Sequence, residues 1–176
     1  MKKLLLATSA SAMVLGASLA SAAEISGNVT LTTDYVFRGI SQSDESPAIQ
    51  GGFDLGFDSG FYVGTWASSV DFDTNGSGLD GSLELDAYVG YGGEFAEDFS
   101  YDLGYVYYVY PGDEGLDGDY WELYGSLGYK DFTVGVNYAD DYYAETGEYT
   151  YLYGEYTLGL PSDFSAAPTA SPATVP

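Results

Sequence analysis

A two-residue alternation in which one face carries no charge constrains this chain more than any other feature. From Ile25 onward every second residue is Ile25, Gly27, Val29, Leu31, Thr33, Tyr35 and Phe37. Between them lie Ser26, Asn28, Thr30, Thr32, Asp34, Val36 and Arg38. A β-strand sends alternate side chains to opposite faces, so one face is apolar and the other polar. The split recurs in almost every later strand, although the chain holds 27 acids against four basic residues. A face that excludes charge and is bordered by aromatic rings predicts contact with lipid.

Alternation and turn signals predict about eight strands. They cover residues 25–38, 48–58, 61–69, 83–91, 99–109, 121–129, 132–138 and 152–160. The third is ambiguous, because Phe61, Val63, Thr65 and Ala67 oppose Tyr62, Gly64, Trp66 and Ser68. The connections alternate in length. Those at 39–47, 70–82, 111–119 and 140–148 are long, polar and acidic, whereas 59–60, 92–98 and 130–131 are shorter. Transmembrane barrels show this asymmetry, with long outer loops and short periplasmic turns. The fold expectation is therefore all-β: an antiparallel up-and-down transmembrane β-barrel of about eight strands. A soluble barrel would instead bury the apolar face as a core. Aromatic residues on that face gather near strand ends, at Tyr35, Phe37, Phe57, Tyr91, Phe99, Tyr101, Tyr107, Trp121, Tyr129, Phe132 and Tyr138. Girdles at two membrane interfaces predict this placement.

The N-terminus agrees. Lys2 and Lys3 precede the apolar stretch 4–19, and Ala20-Ser21-Ala22 is an A-x-A cleavage signal. Residues 1–22 read as a secretory signal peptide. Residues 23–164 read as the barrel domain and 165–176 as a disordered Pro/Ala/Thr tail. After residue 22 no apolar run reaches the length of a spanning helix, so crossing would be by strands. The expected location is a bacterial outer membrane. Removing Lys2 and Lys3 with the signal leaves two basic residues against 27 acids, a net charge of −25. That excludes nucleic acid as a partner and favours cations. With no Cys there is no disulfide framework.

The run Asp34-Tyr35-Val36-Phe37-Arg38-Gly39-Ile40-Ser41-Gln42 continues through Pro47-Ala48-Ile49-Gln50-Gly51-Gly52-Phe53-Asp54. Ser59-Gly60-Phe61-Tyr62-Val63-Gly64-Thr65-Trp66 follows, then Glu84-Leu85-Asp86-Ala87-Tyr88-Val89-Gly90-Tyr91, Tyr110-Pro111-Gly112 and Leu160-Pro161-Ser162. From about residue 26 to 163 the chain closely resembles the TorF-family porins, also described as Gcw_chp-type conserved hypothetical proteins. The resemblance implies a porin-like outer-membrane barrel and no particular solute. Members of that family continue with further strands after the LPSDF-type turn. Here a tail ends in Pro176, so the expectation is a truncated larger barrel or about eight strands with a tail attached.

On the polar face, Asp34, Arg38, Asp54, Asp58, Glu84, Asp86, Asp102, Glu122 and Glu155 are the candidate lumen and selectivity residues. An eight-stranded barrel is only about wide enough for side chains. Packing that many acids around one cation in a dry interior is costly, which favours a wetter lumen or an oligomeric form. Arg38 is expected to pair with an inward carboxylate. Asp71, Asp73 and Asn75 match the start of a calcium loop, but the twelfth position is Ser82. Loose divalent binding at acidic loops is the most the sequence supports, and no cofactor is expected. Without His or Cys the usual nucleophile systems are missing, so catalysis is not expected. The functional expectation is a porin-like barrel passing small, preferably cationic solutes by diffusion. A closed, non-conducting barrel with a structural or surface-interaction role is the alternative, and a soluble secreted barrel around an apolar ligand is a third. Outer-membrane lipid, lipopolysaccharide and small solutes are the expected partners.

Overall fold

A computed structural model describes residues 10–13, 23–72, 81–112, 118–158 and 169–170. They form strands β1 (Ala10–Met13), β2 (Ala23–Thr32), β3 (Val36–Phe37), β4 (Ile40–Ser41), β5 (Ala48–Phe57) and β6 (Phe61–Ser69). These are followed by β7 (Leu83–Ala96), β8 (Phe99–Val109), β9 (Tyr120–Tyr129), β10 (Phe132–Ala139), β11 (Tyr149–Tyr156) and β12 (Thr169–Ala170). Except for the β3–β4 hairpin, each strand pairs antiparallel with its neighbours in sequence, in the order β1-β2-β5-β6-β7-β8-β9-β10-β11-β12. Eight strands are long and two short ones flank them.

The sheet is curled but not closed into a barrel. Its end strands β1 and β12 pair with β2 and β11 and not with each other. A barrel needs that last ladder, so the expected closure is not seen among the described residues. The curl follows from contacts of the β3–β4 segment. Tyr35 packs on Trp66 of β6 and bonds Glu84 of β7, Phe37 packs on Tyr108 of β8, and Arg38 reaches Glu122 of β9 and Tyr151 of β11. In a flat sheet β6 and β11 would lie about 24 Å apart. Tyr35, Phe37 and Arg38, three residues within a four-residue stretch, touch them all because the sheet wraps around the hairpin.

Three expected boundaries are corrected, one of them simply: the strand expected over 152–160 is β11, which starts at Tyr149 and ends at Tyr156. The strand expected over 25–38 stops at Thr32. Thr32 Oγ1 donates to the Asp34 carbonyl, and the Asp34 carboxylate accepts from Ser41 Oγ and Ser43 Oγ. These side-chain bonds give the backbone an alternative to the ladder. Arg38 and Gly39 both have positive φ, 49° and 83°, as a type I′ hairpin turn requires. The third correction concerns 92–98, expected as a connection because of its glycines. β7 runs on to Ala96 with a register shift between Glu94 and Ala96, and the turn is 97–98 alone. Of the expected signal peptide, Ala10–Met13 form β1 on the edge of β2, and of the expected tail, Thr169–Ala170 form β12. The remainder of both segments lies outside the described residues.

Turns 58–60, 97–98 and 130–131 occupy one end of the sheet, and 33–47, 70–72, 81–82, 110–112, 118–119 and 140–148 the other. The apolar residues point outward: Phe53 is 71% exposed, Ile25 60% and Leu103 58%. The larger buried side chains among the described residues are mostly polar or phenolic, Glu122, Glu84, Tyr108, Tyr110, Tyr120 and Tyr151, with Ser43, Ser68, Ala48, Ala139, Val70 and Val106 beside them. Polar groups inside and apolar groups outside invert the usual arrangement of a water-soluble sheet. The ambiguous third strand takes the same sense, with Gly64 and Ser68 buried and Phe61 and Val63 exposed.

Candidate functional site

The site is the inner face of the curled sheet near the long connections. The β3–β4 turn places Arg38 there. Its Nη1 and Nη2 donate to Glu122 Oε1 and Oε2 at 2.6 and 2.7 Å, a bidentate pair. The guanidinium also lies 4.5 Å from the Phe37 ring centroid and 4.3 Å from that of Tyr151. Glu122 has no exposed surface, and it also accepts from Asn137 Nδ2 at 3.0 Å and Tyr108 Oη at 3.4 Å. Burial by itself would lower the Arg38 ionisation range; the hydrogen bonds and charge of Glu122 outweigh it and hold the guanidinium above its ordinary value.

Tyr35 makes the second link, its hydroxyl donating to Glu84 Oε1 at 3.1 Å. Burial first, then the charges of Glu84 and Asp86, push this phenol well above its usual range, so it remains a donor. Glu84 Oε2 and Asp86 Oδ1 are buried without a hydrogen-bond partner. Each such oxygen costs about 1–3 kcal/mol. Arg38 is the chain's one arginine, and both its nitrogens named above are committed to Glu122.

Below this cluster, tyrosines lie flat on the inner wall over glycines of the neighbouring strand. Tyr88 faces Gly64, Tyr62 faces Gly90, Tyr124 faces Gly104 and Tyr153 faces Gly135 in register. A Cβ at any of these glycines would meet the tyrosine ring at 2.3–2.5 Å. Crossing a glycine lets each hydroxyl reach a strand two or three places away. Tyr62 Oη donates to Asp102 Oδ1 at 2.7 Å and lies 2.7 Å from Tyr124 Oη, and Tyr88 Oη donates to Asp54 Oδ1.

The structure thus brings Arg38, Glu84, Asp86 and Glu122 together and sets Asp54 and Asp102 in the tyrosine belt below. Asp34 is used in the β3–β4 corner. Asp58 and Glu155 are exposed toward the short-turn end and join no cluster. Among the expected girdle residues, Tyr35 and Phe37 are corrected: the corner at Asp34 turns both rings inward. The others stay on the outer face. At the short-turn end Phe57 meets Phe61, Tyr91 meets Tyr101, Phe99 meets Tyr129 and Phe132 meets Tyr156, a nearly continuous band. At the other end Tyr105 stacks on Trp121, with Tyr107 and Tyr138 nearby in register, so this band is confined to β8–β10. Of the calcium-loop residues, Asp71 is exposed and its N–H donates to the Gln42 carbonyl, while Asp73 and Asn75 lie outside the described residues. Among the described residues no group of three acidic side chains is arranged to hold a metal ion. The tyrosine–glycine belt was not among the expected site residues. Its sequence signal is the Tyr/Gly alternation on one face, as in Tyr62-Gly64 and Tyr88-Gly90, but its meaning needs the register between strands.

A family model described as a bacterial protein of unknown function, Gcw_chp, matches residues 16–170. The chain belongs to the Gcw_chp family. No curated protein and no solved structure matches it. The family description carries no porin assignment and no link to TorF. The match to this Gcw_chp chain takes in all eight long strands and the β3–β4 corner.

Proposed function

We propose that this Gcw_chp protein is an outer-membrane β-barrel, sealed at its long-connection end by the β3–β4 corner, with a structural or surface-interaction role. The observation that carries this reading is the inverted burial: Ile25, Val29, Leu31, Phe53 and Leu103 lie exposed outside, while Glu84, Glu122, Tyr108 and Tyr120 are buried inside. In water, each large side chain left exposed forgoes about 1.5–3 kcal/mol of burial. In hydrocarbon the same face is favourable. Strand length supports it, since β2, β5, β6, β8 and β9 have 10, 10, 9, 11 and 10 residues and a transmembrane strand needs about 9–11. From Phe99 to Tyr107, between the two aromatic bands, the strand rises about 26 Å before tilt. The proposal includes closure of the curled sheet in the exported chain and removal of residues 1–22.

A second reading is passive, cation-preferring diffusion. It is favoured by the inner carboxylates Glu84, Asp86, Asp54 and Asp102, none of which is ion-paired with a lysine or arginine among the described residues. Reconstitution into lipid bilayers separates the two. Sealed protein gives no current above background, whereas a cation-selective current, altered in Arg38→Ala, establishes the second reading. Protein that leaves membranes without detergent sinks both.

A further inference from the structure

A cavity of about 460 Å³ opens at the long-connection end, between the β3–β4 corner and the segments around residues 72, 110, 120 and 142. Its size is that of a small-molecule site. Aromatic rings form its walls. Tyr110 and Tyr143 meet edge to face at 5.1 Å and 80°, Tyr120 and Tyr142 at 4.8 Å and 62°, and Phe72 packs on Tyr110 at 5.6 Å. Asp44, Glu45 and Asp71 also line it, all three exposed, and among the described residues no lysine or arginine does. Asp44 and Glu45 are fixed at the lip by a left-handed turn, with φ of 48° and 55°.

We infer that this cavity is a binding site for a small organic ammonium ion. Aromatic faces attract a weakly hydrated cation through their quadrupole, most strongly where water is displaced. The three carboxylates add long-range attraction, and so does the field of a chain with 27 acids and four basic residues. An anion would be repelled by that field. A neutral sugar could stack on the rings but would gain nothing from the charge. The inference goes beyond the membrane proposal and does not need it, because the binding can be measured in detergent micelles.

The test uses the full chain in micelles with choline as probe, and 3,3-dimethylbutan-1-ol as its uncharged isostere of nearly equal shape. Calorimetric titration should find choline bound at least about tenfold more tightly than the alcohol. Asp44→Asn with Glu45→Gln, both on the exposed lip, should weaken choline severalfold, flatten its salt dependence and leave the alcohol unchanged. Tyr142→Leu keeps apolar bulk and should weaken choline about tenfold. Equal binding of choline and alcohol overturns the inference, as does glucose binding more tightly than choline. Failure of the wild-type chain to bind choline at millimolar concentration, with its β circular-dichroism signal intact, overturns it too. If Tyr142→Leu does not fold, the ligand pair and the lip double variant still decide.

Discussion

Removing the Arg38 guanidinium would leave Glu122 buried with its charge uncompensated. Arg38→Met is expected to destabilise the protein by about 3–5 kcal/mol, read from urea unfolding in micelles. Adding Glu122→Leu should recover most of that loss, because replacing both members of a buried pair with apolar groups is often neutral. A double variant no more stable than Arg38→Met would show that the hairpin is held by something other than this pair. Arg38→Lys should fall between, since an ammonium cannot reproduce the two parallel bonds. A smaller contrast concerns Tyr35. Tyr35→Phe removes its bond to Glu84 and leaves both of that carboxylate's oxygens unsatisfied, at an expected cost of about 1–3 kcal/mol.

At the scale of strands, the tyrosine–glycine pairs make a sharp comparison. A methyl group at Gly90 would stand 2.3 Å from the Tyr62 ring, whereas one at Gly56 meets nothing within 4 Å. Gly90→Ala is expected to cost about 1–3 kcal/mol through overpacking. Gly56→Ala should be neutral or stabilising by up to about 1 kcal/mol, since it restricts the unfolded chain. Equal effects at the two positions would refute the flat-ring arrangement. These pairs also show what was legible in the sequence. Alternation gave the eight long strands and the sense of their faces, because period two is a local property. The 92–98 segment was misread, because glycine signals a turn when its cross-strand partner is unknown. The corner at Asp34 was missed for a related reason: alternation continues through Tyr35 and Phe37, while the serines that bend the backbone lie seven and nine residues away. Arg38 was legible as an inward cation, but its choice of Glu122 over the other acids depends on how far the sheet curls.

For the whole molecule, the inverted faces separate bilayer from water by one substitution. Leu103 lies midway along β8 and is 58% exposed. In water, Leu103→Arg should change stability by no more than about 0.5 kcal/mol, as exposed substitutions do. In a bilayer it should cost about 2–4 kcal/mol. Unfolding measured in lipid vesicles distinguishes these outcomes, and a negligible effect there would remove the membrane assignment. The β3–β4 corner has a mechanical side as well. A non-glycine residue in the left-handed region stores about 1–2 kcal/mol. At Arg38 that tension and the clasp restraining it belong to one amino acid: the backbone is wound against its preference while the side chain fastens it to the far wall. Unfastening the clasp would let the corner recoil, and the entrance to the interior would loosen from this single point.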